Sequence, residues 1–207
     1  MSLETWLAYV GACAVLLVIP GPTILAVIGY AATHGRRARL PLVAAVALGD
    51  STALLLSLAG LGALLAASAF WFTVVKSIGG LYLLYLGYQL LRAGVASAPE
   101  QPAAAAVSRW RLFANTYLVT ALNPKGIIFF VAFLPQFLRA DAPLAGQLWL
   151  LSATFVALAT LNATLYAVFA GQARRLLRSP RAHQSFNLAG GSLLSGAGLW
   201  ALLSRHP

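Results

Sequence analysis

Three ionisable side chains stand inside long apolar runs of this 207-residue chain: Asp50, Lys76 and Lys125. A charge at bilayer depth costs at least about 2.5–3.5 kcal/mol on insertion scales, so such a group normally faces a water-filled cavity or a partner. Asp50 has the chemistry to exchange a proton or to hold an ammonium, and Lys125 the chemistry to hold a carboxylate. A static buried ion pair between the two is the plainer alternative. Lys76 lies about six residues from a predicted helix end, where its long stem can snorkel, and a structural role suits it better.

Two proline-bearing interruptions accompany these charges, Pro20-Gly21-Pro22-Thr23 and Asn123-Pro124-Lys125. Pro20 and Pro22 have no backbone N–H, so carbonyls one turn upstream lose their partners, and lipid cannot replace them. Asn123 suits an N-cap and Pro124 the first helical position, so the second interruption reads as a helix restart. Gly21-Pro22-Thr23 fits the same pattern, with Gly21 as a weaker cap. Each downstream half-helix then turns free N–H groups and a partial positive end toward the centre of the run, where an anionic group is stabilised. Pro20, Gly21, Pro22, Thr23, Asn123, Pro124 and Lys125 are therefore the candidate binding residues, and Asp50 the candidate proton-exchanging one. The alternative is a pair of proline kinks that only shape helix packing.

Other chemistries find little support. No nucleophile with a nearby base and no His, Cys or multi-carboxylate set lies in the apolar runs, which argues against an enzyme and against any metal or cofactor. An ion carrier would want several carboxylates or soft ligands, and Asp50 stands alone. A scaffold would have no use for buried charge at two central positions. Cys13 is the single cysteine, which removes disulfides and CxxC chemistry; its surroundings loosely match a lipoprotein box, but no basic segment precedes it, so the first helix is expected to be retained. His34, His183 and His206 carry no ligand spacing and read as solvated loop residues.

The elements that must position these groups are helices in a membrane. Hydrophobic residues make up 60% of the chain, against roughly 45–50% in soluble domains, and charged residues 9% against about 25%. Thr5 to Thr33 and Ala142 to Ala173 hold no Asp, Glu, Lys or Arg, and both exceed the roughly 20 residues that cross a bilayer. The chain reads as an all-α integral membrane protein with six transmembrane helices at about 4–33, 40–66, 70–92, 111–138, 143–172 and 185–204. Asp50 then lies about ten residues, or roughly 15 Å, into the second span, and Lys125 about fourteen residues into the fourth, at similar depth.

Charge placement sets the orientation. Ten of the 14 basic residues fall in the first, third and fifth loops, and only Arg139 and Arg205 on the other side. The positive-inside rule puts the odd loops in the cytoplasm and both termini outside. A formal charge of +10 raises the question of nucleic acid, but the basic residues form short clusters and no continuous face, so no nucleic-acid partner is expected. The chain forms one domain over residues 1–207: a first three-helix repeat to about 92, a linker at about 93–110 and a second repeat from about 111. Three spans in each half force opposite orientations on the halves. The first span of each is interrupted near its centre, which points to an inverted-repeat transporter with its site at the midplane.

Packing explains much of the remainder. Gly80 and Gly87 share a face of the third span, and Gly191, Ser192, Ser195 and Gly196 give overlapping small-residue pairs in the sixth, which permit a homodimer. Trp6, Trp71, Trp110, Trp149 and Tyr117 sit near predicted interfaces, as belt aromatics do. Asn162 is either an interhelical hydrogen-bonder or a cavity-lining residue.

The motifs resemble a known family. Pro20-Gly21-Pro22 with the Gly35-Arg36-Arg37 loop, Ala47-Leu48-Gly49-Asp50, the stretch from Lys76 to Gly87, and Asn123-Pro124-Lys125 with Phe133-Leu134-Pro135-Gln136-Phe137 are similar, in order, to the lysine exporter (LysE/RhtB) family of bacterial amino-acid efflux proteins. The resemblance covers essentially the whole chain. It implies export of an amino acid or close derivative across the bacterial cytoplasmic (inner) membrane, driven by proton antiport. It does not imply which amino acid. Export of a non-amino-acid solute or cation on the same fold is the alternative.

Overall fold

The computed structural model describes residues 1–67, 69–92, 108–139, 142–178 and 180–203, and among these every regular element is helical. Helix α1 (Leu3–Val18) opens on Ser2, whose hydroxyl accepts from the Thr5 N–H at 3.2 Å. Helix α2 (Pro22–His34) follows after a 55° bend at the Pro20–Pro22 break. It closes on Gly35, whose φ of 62° is open to glycine at little cost and whose N–H caps the Ala31 carbonyl. Helix α3 (Arg36–Ala67) starts at once and runs for 32 residues, on the order of 48 Å at 1.5 Å per residue. Helix α4 (Ala69–Arg92) ends the first half.

The second half begins with α5 (Arg109–Ala121), capped by the Ser108 hydroxyl. After Asn123 comes α6 (Pro124–Ile128), which continues as a π-helical turn over Phe129–Phe133 and a 3-10 turn over Leu134–Phe137. This departs from the single interruption expected in the fourth span. Pro135 brings no N–H to the carbonyl four residues back, and the backbone around it changes pitch. Helix α7 (Leu144–Val168) stops short of residue 172, where the span was expected to end. The chain turns at Phe169 into α8 (Ala170–Arg178), on which Arg175 is exposed. Helix α9 (Pro180–Leu203) completes the fold.

Among the described residues, three stretches are long and apolar enough to cross a membrane: Arg36–Gly60, Arg109–Phe137 and Leu144–Val168. The bent pair α1 and α2 makes a fourth if counted as one span. Two apolar clusters hold these helices together. One joins α1, α3, residues 129–137 and α7 through Tyr9, Cys13, Phe130, Phe133, Phe137 and Phe155. Its rings meet edge to face, Phe130 on Phe155 at 4.7 Å and Tyr9 on Phe137 at 5.1 Å. The other joins α2, α3, α5, α7 and α8 through Val27, Leu42, Val46, Leu112 and Ala163. Helices α3 and α7 run through both, and the break between α1 and α2 falls where one cluster gives way to the other.

Helices α4 and α9 form the most extensive pair in the fold. A Cβ on Gly87 would lie 2.8 Å from the Gly191 carbonyl and would overlap the Ser195 hydroxyl, and one on Gly198 would lie 2.7 Å from the Gly80 carbonyl. The faces bearing Gly80, Gly87, Gly191 and Ser195, read from sequence as open to a second copy, are thus occupied within the chain. Ser192 and Gly196 remain exposed. The same close approach recurs between α3 and α5, where a Cβ on Gly49 would sit 2.7 Å from Thr120 Cβ. That contact draws Asp50, one residue on, toward the second break.

Candidate functional site

At the first break, helical hydrogen bonding would pair the N–H of residue 20 with Leu16 O and that of residue 22 with Val18 O, and both positions are proline. The N–H groups of Gly21 and Thr23 turn with the new helix and leave Leu17 O and Ile19 O. Four consecutive carbonyls thus lack backbone partners in the middle of an apolar stretch, and apolar surroundings supply none. Side chains from the second half of the chain meet all four. Lys125 Nζ donates to Leu16 O at 2.6 Å and to Ile19 O at 2.9 Å. Asn162 Nδ2 donates to Leu17 O at 3.0 Å, and the Tyr166 hydroxyl to Val18 O at 2.8 Å.

At the second break Asn123 is the N-cap, its Oδ1 accepting from the Lys125 N–H at 3.1 Å. Its Nδ2 reaches across to Thr23 Oγ1 at 3.2 Å, so one amide ties together the starts of α2 and α6. Thr23 is buried. Gly21 lies against the Lys125 stem, where a Cβ would come within 3.5 Å of Lys125 Cδ. The first-turn N–H groups of Thr23, Ile24 and Gly126 have no intrahelical partner.

Both breaks open on one cavity. Gly21, Thr23, Asn123 and Lys125 line it, together with Asp50 from α3 and Asn162 from α7, and apolar walls come from Ile19, Val46, Phe155 and Ala159. Its volume is about 40 Å³, room for two or three water molecules. Pro20, Pro22 and Pro124 do not line it; they act by withholding N–H groups and by turning the chain. Asp50 is buried, with 8% of its surface exposed. Among the described residues no hydrogen bond or ion pair reaches its carboxylate, so acid and ammonium share a cavity without pairing. The static ion pair considered from sequence is not what the structure holds, because the carbonyls of the broken helix have claimed the ammonium.

Asn162 serves both roles left open for it, bonding between helices and lining the cavity. Tyr166 escaped the sequence reading. The signal was available: a span that strands four carbonyls must supply four donors, and Asn162 and Tyr166 lie four residues apart on one face of α7. The Lys76 side chain lies outside the described residues. His34 is not simply solvated: its Nδ1 contacts the Tyr30 carbonyl at 3.1 Å, and its Nε2 is enclosed without a partner among the described residues.

The family described as LysE type translocator matches residues 14–205, a stretch that contains both breaks, Asp50, Lys125, Asn162 and Tyr166. The chain belongs to this family. A homoserine/homoserine lactone efflux protein of Salmonella typhimurium is 31% identical over 206 residues, covering 100% of each chain. A leucine efflux protein of an Enterobacter species is 30% identical over 169 residues, covering 82% of this chain and 80% of that one. A Vibrio cholerae protein described only as an uncharacterized membrane protein is 31% identical over 199 residues, 96% and 97% of the two chains. No solved structure matches. This LysE-type translocator is therefore a multi-pass inner-membrane protein of an amino-acid efflux family, a transporter and not an enzyme.

Proposed function

We propose that this LysE-type translocator exports an amino acid or close derivative in exchange for protons, through six spans arranged as two inverted three-helix repeats with both termini outside. The observation that carries the reading is the meeting of two helix breaks, one from each half of the chain, on a cavity that also holds Asp50. An amino acid is a zwitterion, and the cavity offers it both signs. The free N–H groups at the starts of α2 and α6, with Lys125, face a carboxylate. Asp50 faces an ammonium or exchanges the coupling proton. The names of the relatives, homoserine and leucine efflux proteins, favour a substrate with an uncharged side chain. The cavity has room for two or three water molecules, so loading a leucine-sized substrate requires the helices around it to part.

The test is efflux from cells fed dipeptides, with every released amino acid quantified for wild type, Asp50→Asn and an empty vector. Wild-type-specific release of one or two amino acids is expected. In vesicles, release driven by a pH gradient should be lost in Asp50→Asn while the protein remains in the membrane. Unchanged gradient-driven release in that variant would remove Asp50 from coupling. Lys125→Ala should raise the half-saturating substrate concentration about tenfold or more, as expected for a charge-assisted hydrogen bond of about 1.5–3 kcal/mol. A second reading is favoured by the lactone in one relative's name, since a lactone has no carboxylate for Lys125 to hold. Equal transport of the substrate and its decarboxylated amine would support that second reading.

A further inference from the structure

An ammonium carries three N–H donors. Two of those on Lys125 go to the backbone carbonyls of Leu16 and Ile19, at 2.6 and 2.9 Å, short contacts of the charge-assisted kind. These oxygens belong to the C-terminal end of α1, where the aligned peptide dipoles leave partial negative charge. Unwound carbonyls of this kind are the ligands with which broken-helix carriers hold free monovalent cations. Here the other two exposed carbonyls are met by neutral donors, Asn162 and Tyr166. The single positive charge at the helix end arrives tethered, on a side chain from the opposite half of the protein. Among the described residues no carboxylate pairs with it, and Asp50 lines the cavity unpaired.

We propose that the Leu16 and Ile19 carbonyls form a primary-ammonium site whose resident ligand is the chain's own Lys125. The translocator then needs no free sodium or potassium at its broken helix, and truncating the side chain converts the site into one for a small free alkylammonium ion. The third N–H of Lys125 stays available to the cavity, so the inference deepens the export reading. It rests on the helix break and not on the identity of the substrate. Lys125→Ala removes three methylenes and the nitrogen, and propylammonium restores that set of atoms.

The experiment is thermal unfolding of purified full-length Lys125→Ala and wild type in propylammonium, sodium, potassium and tetramethylammonium chloride at equal ionic strength. For the variant, propylammonium should raise Tm saturably by on the order of 5 °C, by mass action on the folded state. Tetramethylammonium, which has no N–H, should not, and wild type should respond to none of the four specifically. An equal response of the variant to all four salts overturns the proposal. So does no response, or a larger rise with sodium or potassium than with propylammonium. Should Lys125→Ala not fold, wild type and extraction of the variant in propylammonium decide: a wild-type Tm raised specifically by sodium or potassium means that a free cation enters the helix end, and that result, or no recovery of the variant in propylammonium, overturns the tethered assignment. An unchanged wild-type Tm with no folded variant, recovered when propylammonium is present during extraction, supports it. A chain that releases no amino acid but whose variant answers to propylammonium loses the export reading and keeps this one. The converse result loses this one alone.

Discussion

Of the junctions between the halves of this translocator, two solve the same problem in opposite ways. Between α4 and α9 the chain removes side chains: glycines at 80, 87, 191 and 198 bring backbone against backbone until a single Cβ would collide. Between the broken first span and α6 and α7 it adds them: Lys125, Asn162, Tyr166 and Asn123 reach across to carbonyls and to Thr23. Glycine packing gains dispersion over a long seam and cannot be relinquished in steps. Side-chain caps are discrete, each worth one hydrogen bond, and each can be exchanged for a water or a substrate group. The difference teaches where motion belongs. In the export cycle proposed above, the exchangeable junction is the part that opens and the glycine seam the part that holds.

The largest expected effect falls on the rigid seam. Gly87→Leu places a branched side chain where the Gly191 carbonyl already stands 2.8 Å from a bare Cβ, so α4 and α9 must part along their length. Overpacking costs about 1–3 kcal/mol, and the upper end applies when backbone is the obstacle. The expected result is a Tm lower by about 6–12 °C in the purified protein. An unchanged Tm would mean that close approach is not what holds the pair, and the contrast between the junctions would collapse.

The two junctions were also unequally legible in the sequence. The break at Pro20-Gly21-Pro22 and the restart at Asn123-Pro124 could be placed to the residue, because proline and its caps act locally through a missing N–H. Asp50 and Lys125 could be assigned to one depth by counting along helices. That they share a cavity without pairing could not, since the competitor for the ammonium is backbone, and backbone carbonyls leave no mark in a sequence beyond the prolines that strand them. The glycines at 80, 87 and 191 were visible as a packing face, but not whose face they meet: a small-residue stripe is equally good for a second copy and for another helix of the same chain. The pitch change over 129–137 followed from Pro135, yet an apolar run containing one proline reads the same whether it kinks, bulges or tightens.

A smaller effect is expected at the exchangeable junction. Tyr166→Phe removes one hydroxyl, the donor to Val18 O at 2.8 Å, and leaves the ring in place. Interhelical hydrogen bonds in membranes average about 0.6 kcal/mol and reach about 1.7, so Tm should fall by about 1–7 °C. Asn162→Leu should behave alike. A loss equal to that of Gly87→Leu would show the caps to be as rigid as the seam. No loss in either variant would show water replacing the donors, which is possible only if the break is wetter than a cavity for two or three waters suggests.

The smallest effect belongs to a small-residue face of α9 that the described residues leave open. Ser192 and Gly196 are exposed, and a Cβ on Gly196 would meet nothing within 4 Å. Gly196→Ala therefore adds no contact inside the chain, while alanine is favoured over glycine in a helix by about 0.5–1 kcal/mol. If Gly87 and Gly196 differ only in what faces them, Gly196→Ala leaves Tm unchanged or raises it by up to about 4 °C. The apparent mass in detergent should stay the same. A fall in Tm that depends on protein concentration would carry a different meaning: a second copy packs on Ser192 and Gly196 as closely as α4 packs on Gly191. The small residues of α9 would then serve two seams, one within the chain and one between chains, and a glycine stripe would have to be read face by face before it is counted as either.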